Sequence, residues 1–140
     1  MIKLGIIGAG RIGQVHGESI SNYVQNAEVM SIADPYINDQ TEEWAYSMGI
    51  TNIYKDYKKI INDPQIDAVL ICSSTDTHAQ ISIEAAEAGK DIFCEKPVDL
   101  DPVKIKKVLE TVENNNVKFQ VGFNRRFDHN FNAVREEVKS

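Results

Sequence analysis

Six short apolar segments recur along the 140-residue chain, and a stretch with helical character follows each of them. The predicted strands cover residues 3–7, 28–33, 52–54, 67–71, 91–94 and 118–121. Most of these segments are rich in Val and Ile and almost continuously apolar, which is typical of parallel strands covered on both faces. Strand–helix alternation with right-handed crossovers therefore predicts an α/β fold, a doubly wound parallel sheet of about six strands with helices on both faces.

Capping residues set the predicted helix boundaries. The predicted helices cover residues 11–23, 39–48, 57–61, 77–88, 102–114 and 128–139. Asn38, Asp56 and Asp101 stand where N-caps belong, Pro102 fits a first helical turn, and Gly89 follows a helix C-terminus. A doubly wound sheet is built from two units of three strands, which predicts the strand order 3-2-1-4-5-6.

Composition excludes several function classes. With 42% hydrophobic and 26% charged residues the chain is an ordinary soluble globular sequence, and no apolar stretch reaches the ~20 residues of a membrane span. A net charge of −6 argues against nucleic acid as a partner. Cys72 and Cys94 belong to no Cys/His cluster, so we expect two reduced buried thiols, no metal site and a cytoplasmic protein.

The stretch GAGRIG has the pattern G-x-G-x-x-G and lies between the first predicted strand and the first predicted helix. Gly8 would permit a tight turn, Gly10 would let a diphosphate approach the backbone, and Gly13 would let the helix pack closely on the strand. The diphosphate would bind free N–H groups at the helix N-terminus, beside Arg11 and Ile12. The alternative is a glycine turn that binds no ligand.

An acidic residue completes this pattern. Asp34 lies 21 residues after Gly13 and ends the second predicted strand. A carboxylate at that position accepts hydrogen bonds from the adenosine ribose hydroxyls and repels a 2′-phosphate, so the sequence predicts NAD rather than NADP. Pro35 and Tyr36 supply no neutralising charge, which leaves Arg11 as an alternative phosphate contact.

Ligands of open α/β sheets bind beyond the carboxyl ends of the strands, and CSSTDTH follows the fourth predicted strand there. We predict that Ser73, Ser74, Thr75 and His78 contact the cofactor. The alternative is that the polar side chains of this loop only cap the next helix.

Two further loops reach the same edge of the sheet. In CEKP, Lys96 could hydrogen-bond a substrate hydroxyl and ease its loss of a proton, or Lys96-Pro97 could simply mark a strand end. In VGFNRRFD, Arg125 and Arg126 could bind a polyol or an anionic group through their fixed donors, or form salt bridges with a neighbouring domain.

Together, GIIGAGRIG, IAD, STDTH, EKP and VGFNRRFD resemble the N-terminal part of the Gfo/Idh/MocA oxidoreductases, over essentially all 140 residues. The resemblance implies NAD-dependent hydride transfer with a cyclic polyol or sugar, and VGFNRRFD favours the branch that acts on myo-inositol. It implies that Lys96 is the catalytic lysine and contacts the substrate, that Pro97 follows a cis peptide bond, that Glu95 lies near the nicotinamide ribose, and that Arg125 holds the sugar. The predicted cofactor-binding residues are Gly8, Gly10, Arg11, Ile12, Gly13, Asp34, Ser73, Ser74, Thr75, His78, Glu95 and Pro97.

The resemblance also implies a domain layout. Residues 1–122 form the predicted dinucleotide-binding domain, and residues 123–140 form a linker and helix leading to a C-terminal substrate domain that the sequence lacks. Family members use that domain for substrate binding and oligomer contacts. We therefore expect a homo-oligomeric longer form, and a 140-residue chain that binds NAD but turns over little or no substrate.

Other functions remain open at this point. Another sugar oxidoreductase of the same family is the nearest alternative, because the missing part chooses the substrate. A methyltransferase also pairs a glycine loop with an acid, but Gly13 and Lys96 argue against it. The third alternative is a non-catalytic module that binds NAD. The stretch EKP would have no evident function in such a module.

Overall fold

One parallel sheet of six strands organises the protein in a computed structural model that describes all 140 residues. The strands are β1 (Ile2–Ile7), β2 (Ala27–Ala33), β3 (Asn52–Tyr54), β4 (Ala68–Ile71), β5 (Asp91–Glu95) and β6 (Phe119–Gly122). Their order is β3-β2-β1-β4-β5-β6, and every neighbouring pair is parallel. The predicted strand order and the predicted doubly wound (Rossmann) class are therefore confirmed.

Helices connect the strands as predicted, apart from different first residues in some helices and one additional turn. The helices are α1 (Arg11–Tyr23), α2 (Asp39–Ser47), α3 (Lys58–Ile61), α4 (Thr75–Glu87), α5 (Pro102–Asn114) and α6 (His129–Lys139). The helix α4 begins two residues earlier than predicted, because Ser74 is the extended residue that precedes it and the Thr77 hydroxyl donates to the Ser74 carbonyl within the first turn. A 3₁₀ turn over Asn124–Phe127, which the sequence did not predict, precedes α6.

Side chains cap three of the six helix N-termini, and that of α1 is not among them. Asp56, the predicted N-cap of α3, does not hold that position, because Tyr57 is the residue that precedes the helix. Asn38, Asp101 and Asp128 each accept a backbone N–H at the start of α2, α5 and α6, at 2.9 Å. No side chain caps α1 at Gly10, and the first turn of α1 contains no acidic residue. The amides that open α1 are therefore without a side-chain acceptor.

The sheet is buried on both faces. Ile7, Val69 and Ile71 pack towards α3 and α4, while Ile6 and Ile32 pack towards α1 and α2. A smaller cluster that includes Val108 joins α4 to α5. None of the residues of α6 is buried, and no helix is long and apolar enough to cross a membrane.

Candidate functional site

The three glycines of the loop between β1 and α1 are required for different reasons. Gly8 has φ +98°, and a Cβ there would collide with the backbone of Cys72 and Ser73. A Cβ at Gly13 would collide with the carbonyl oxygen of Gly8. A Cβ at Gly10 would meet nothing within 4 Å, so the fold itself does not require a glycine there. The open space at Gly10 lies directly before the uncapped N-terminus of α1.

This N-terminus suits an anion. The amides of the first helical turn carry partial positive charge, which the helix dipole reinforces. Arg11 is exposed beside the open space, whereas Ile12 is half-buried and packs against the core beneath α1. The Gln14 side chain donates to the Ala9 carbonyl at 3.0 Å and steadies the loop from the helix side.

Asp34 holds the glycine loop from the end of β2. Its Oδ2 accepts the Ala9 N–H at 2.8 Å, and its Oδ1 accepts the Tyr36 N–H at 2.8 Å. Each carboxylate oxygen can accept more than one hydrogen bond, so Asp34 retains acceptor capacity for hydroxyl groups. Sequence reasoning placed Asp34 correctly at the strand end but missed its bond to Ala9.

A cavity of about 240 Å³ lies between this loop and β4. Its lining includes Asp34, Tyr36, Lys55, Ser73 and Ser74, whereas Thr75 is not among the lining residues. The cavity is mostly apolar with a carboxylate at its rim, which suits an adenosine moiety. Lys55, which is exposed, is the one cation of this lining.

The loop after β4 does more than cap α4. The Ser73 and Thr77 hydroxyls lie 2.7 Å apart, and no side-chain hydrogen bond caps the helix at Ser74. The alternative that these residues only cap α4 therefore fails at Ser74. Ser73 and Ser74 face the adenosine-sized cavity instead.

His78 lies near the start of α4, as the sequence predicted, and its ring is buried. The residue is only 2% exposed. Its Nδ1 lies 2.7 Å from the Pro97 carbonyl oxygen, and its Nε2 lies 2.8 Å from the Ser73 carbonyl oxygen. Both ring nitrogens are thus engaged with backbone, which gives no support to the predicted direct contact between His78 and the cofactor.

The ends of β5 and β6 form a second hollow, of about 510 Å³. It is lined by Lys96, Phe123, Asn124, Arg125 and Arg126. The structure therefore brings together Lys96 and Arg125, the two residues predicted to contact substrate. The Lys96–Pro97 peptide bond is cis, as the family resemblance implied.

The cations of this hollow have no acidic partner. Lys96 is exposed and forms no side-chain hydrogen bond or salt bridge within the chain. The Arg125 guanidinium lies over the Phe131 ring at 5.0 Å, and the Arg126 guanidinium over the Phe123 ring at 5.5 Å. Their hydrogen-bond donors remain available to a ligand.

His16 is a candidate residue that sequence reasoning missed. Its Nε2 lies 2.7 Å from Glu95 Oε1, and its ring packs edge-on against Phe93 with centroids 5.1 Å apart. This pair links α1 to the end of β5, next to Lys96. The only signal in the sequence was the position of His16 on the helix that follows the glycine loop.

The two thiols are poorly suited to nucleophilic chemistry. Burial, and then the charge of Glu95, raises the pKa of Cys72 to about 12. Burial likewise raises the pKa of Cys94 to about 11. Both cysteines are free and buried, and no group of three or more His, Cys, Asp or Glu residues is arranged to hold a metal ion.

Residues 2–123 match the family model for Gfo/Idh/MocA, which is described as the oxidoreductase family with an NAD-binding Rossmann fold. The chain belongs to the Gfo/Idh/MocA oxidoreductase family. It is 39% identical to myo-inositol 2-dehydrogenase of Thermotoga maritima over 139 residues, which are 99% of this chain and 41% of that protein. It is 38% identical to scyllo-inositol 2-dehydrogenase (NAD(+)) of Bacillus subtilis, covering 98% of this chain and 40% of that protein.

Solved structures of Gfo/Idh/MocA relatives have the same fold. Scyllo-inositol dehydrogenase of Lactobacillus casei, solved with bound NAD(H) and scyllo-inositol, superposes with a TM-score of 0.90 at 32% identity. The superposition covers 99% of this chain and 41% of that one. The chain thus spans about two fifths of the length of these relatives and corresponds to their NAD-binding domain.

Proposed function

We propose that the chain is the NAD-binding part of an NAD-dependent oxidoreductase that transfers hydride between a cyclic polyol or sugar, with myo-inositol favoured, and NAD. The names of the relatives support this substrate class, since the similar proteins include myo-inositol and scyllo-inositol dehydrogenases. The chain spans only about two fifths of the length of these relatives, so we propose the dehydrogenase activity for a longer protein that contains this chain.

The observation that carries the proposal is the open space at Gly10. It faces the uncapped N-terminus of α1, and Asp34 lies at the other side of the loop. A diphosphate placed on the helix amides would put the adenosine ribose within reach of Asp34. The remaining proposed cofactor contacts are Gly8, Arg11, Ile12, Gly13, Ser73, Ser74, Thr75, Glu95 and Pro97.

Lys96 is the proposed catalytic residue. Bound NAD⁺ would supply the acceptor for the hydride that leaves the carbinol carbon. An ammonium group is a pure hydrogen-bond donor, so Lys96 would bind the hydroxyl oxygen and stabilise the negative charge that develops there as the hydride departs. Arg125, on the same hollow, would orient the other hydroxyl groups through its fork of donors.

A second candidate substrate is an acidic sugar. The lining of the hollow supports it, because three cations and no carboxylate surround the space. A carboxylate substrate would pair with Arg125 or Arg126 in bidentate geometry. Initial-rate measurements of the longer enzyme with myo-inositol and with a hexuronate would distinguish the two.

We further propose the following layout and setting. Residues 1–122 form the dinucleotide-binding domain, and residues 123–140 connect it to a substrate domain. The longer protein would be a homo-oligomer, which only the family resemblance supports. The two free buried thiols support a cytoplasmic location.

Calorimetric titration of the chain with NAD⁺, NADP⁺ and S-adenosylmethionine tests the cofactor. We expect saturable binding of NAD⁺, weaker binding of NADP⁺ because its 2′-phosphate would face Asp34, and no binding of S-adenosylmethionine. The variant Asp34→Asn removes the negative charge but keeps an acceptor oxygen. It should therefore reduce the difference in binding affinity between NAD⁺ and NADP⁺. Absence of NAD⁺ binding would refute the proposal, and preference for NADP⁺ would assign phosphate contacts to Arg11 or Lys55.

A further inference from the structure

We propose that His78 is a positioning residue that couples the two cofactor loops, fixing the Lys96–Pro97 segment relative to the loop after β4. This inference rests on the proposed function, because it concerns how the same crevice is held in shape. It gives His78 a role that differs from the direct cofactor contact predicted from sequence.

The geometry is a bridge between two strand ends. His78 lies in the first turn of α4, and its imidazole contacts the carbonyl oxygens of Ser73 and Pro97 at 2.8 Å and 2.7 Å. Ser73 belongs to the adenosine-sized cavity, whereas Pro97 directly follows Lys96 in the second hollow. A single ring thus joins the two halves of the crevice.

Water would be a poor replacement for this bridge. The ring is only 2% exposed, whereas Ser73 is half-buried and Pro97 is exposed, so water that replaced the imidazole would solvate the two carbonyls without linking the two loops. Both partners are acceptors, so each bond needs a hydrogen on the ring nitrogen that makes it. A neutral ring can donate to one carbonyl and a protonated ring to both.

The two loops depend on His78 to different degrees. Ser73 is also held by the contact between its hydroxyl and Thr77. The Pro97 carbonyl oxygen has no hydrogen-bond partner within the chain other than the His78 ring. Loss of the imidazole N–H groups should therefore displace the Lys96–Pro97 segment more than the Ser73 loop.

The variants His78→Phe and His78→Gln test the proposal. Phenylalanine keeps a planar ring but donates no hydrogen bond, whereas the glutamine amide can still donate to a carbonyl. NAD⁺ probes both loops, while ADP probes only the adenosine and diphosphate sites. The control Ile66→Val makes a small cavity in the core at the amino end of β4, away from both loops.

Calorimetry should show NAD⁺ bound about tenfold more weakly by His78→Phe, with ADP affinity within about twofold of the unmodified chain. His78→Gln should lie between His78→Phe and the unmodified chain, and Ile66→Val should bind both ligands normally. Equal losses for NAD⁺ and ADP, or no loss for either, would overturn the positioning role. Failure of the unmodified chain to bind NAD⁺ would instead refute the proposed function.

Nitrogen NMR of the histidine ring gives a readout that does not need a ligand. With ¹⁵N-labelled imidazole, at least one ring N–H of His78 should exchange slowly with solvent and disappear in His78→Gln. If His78→Phe does not fold, the exchange rate of the ring N–H and the titration of His78→Gln with NAD⁺ still test the positioning role of His78. A ring whose N–H groups exchange as fast as those of the exposed His129 would contradict the bridge.

Discussion

At the scale of single residues, the glycine loop separates requirements of the fold from those of the ligand. A Cβ at Gly8 or Gly13 would collide with backbone, while one at Gly10 would meet open space. Three glycines that look alike in the sequence therefore have different tolerances. A comparison of their alanine variants can assign each glycine to folding or to binding.

We expect Gly10→Ala to leave the free energy of unfolding nearly unchanged and to weaken NAD⁺ binding at least tenfold, because its methyl group would occupy the space proposed for the diphosphate. Gly8→Ala is the matched control and should lower stability by about 2 kcal/mol or more, because its φ of +98° also disfavours any Cβ. Denaturant unfolding and calorimetry measure the two effects. Normal NAD⁺ affinity of Gly10→Ala would place the diphosphate elsewhere.

Sequence reasoning reached some of these residues and not others for a physical reason. Gly8, Gly10, Gly13 and Asp34 are set by local strand–turn–helix geometry, which short motifs encode. The His16–Glu95 contact joins residues 79 positions apart, and the partners of His78 are backbone carbonyls. Every residue has a backbone carbonyl, so residue type does not show which carbonyls a side chain contacts. The sequence therefore could not reveal the contacts of His78 with Ser73 and Pro97.

At the scale of helices and strands, capping residues predicted some boundaries and not others. Asn38 and Asp101 act as the predicted caps, whereas α3 begins after Tyr57 rather than after Asp56, and Asp128, predicted as the first residue of the last helix, is its cap. The start of α4 was misplaced because Ser74, Thr75 and Asp76 are all good caps by residue type, and the predicted start at Thr77 corresponds to a cap at Asp76. The 3₁₀ turn over Asn124–Phe127 was missed because its sequence has no glycine or proline to mark it.

Removal of two similar caps should have unequal effects. Asp101→Ala should lower the free energy of unfolding by about 1 kcal/mol, because α5 packs on α4 and contributes to the common core. Asp128→Ala should change it by less than about 0.3 kcal/mol, because α6 buries no residue and can fray without disturbing the sheet. Chemical denaturation of both variants measures the difference, and equal losses would show that α6 packs on the core.

At the scale of the whole molecule, the fold was predictable because the strand order follows from alternation and handedness. The proposed cofactor crevice follows from that order, since β1 and β4 are neighbours in the sheet although β2 and β3 lie between them along the chain. The substrate was not predictable from the same information. Apart from the proposed contacts Lys96 and Arg125, substrate contacts would lie in the part of the relatives that this chain does not match.

Stability should decline at alkaline pH. Folding raises the pKa of Cys72 from 9.0 to about 12 and that of Cys94 to about 11, mainly through burial, so the folded state retains thiol protons that the unfolded state releases. Their stabilising contribution is complete below pH 9 and is lost as pH rises towards 11–12. Unfolding measured from pH 8 to 11 should show this decline.

The double variant Cys72→Ala, Cys94→Ala serves as the control for the alkaline decline. It lacks both thiols, so its free energy of unfolding should fall less steeply above pH 9 than that of the unmodified chain. Tyr57, whose pKa burial and Glu84 raise to about 12, remains in both proteins and contributes equally. Identical slopes would mean that folding does not raise the pKa of either thiol.

The 140-residue chain should bind NAD⁺ without measurable oxidation of myo-inositol. Only five residues line its hollow, and Lys96 and Arg125 are both exposed, so a polyol bound there would remain largely in water. Absorbance of NADH at saturating NAD⁺ and myo-inositol measures turnover, with calorimetry on the same sample as the control for cofactor binding. A robust rate would show that the chain itself completes the catalytic site.

The bond from the Ala9 amide to Asp34 has a kinetic consequence. It fixes the glycine loop through the protein's own carboxylate, so the loop has its shape before any dinucleotide arrives. Association then needs no ordering step at this end of the crevice, and encounter with the diphosphate can be followed at once by docking. On this basis, the adenosine part of NAD⁺ would bind in a single kinetic phase whose observed rate rises linearly with ligand concentration. Any slower kinetic phase would come from the hollow that contains Lys96.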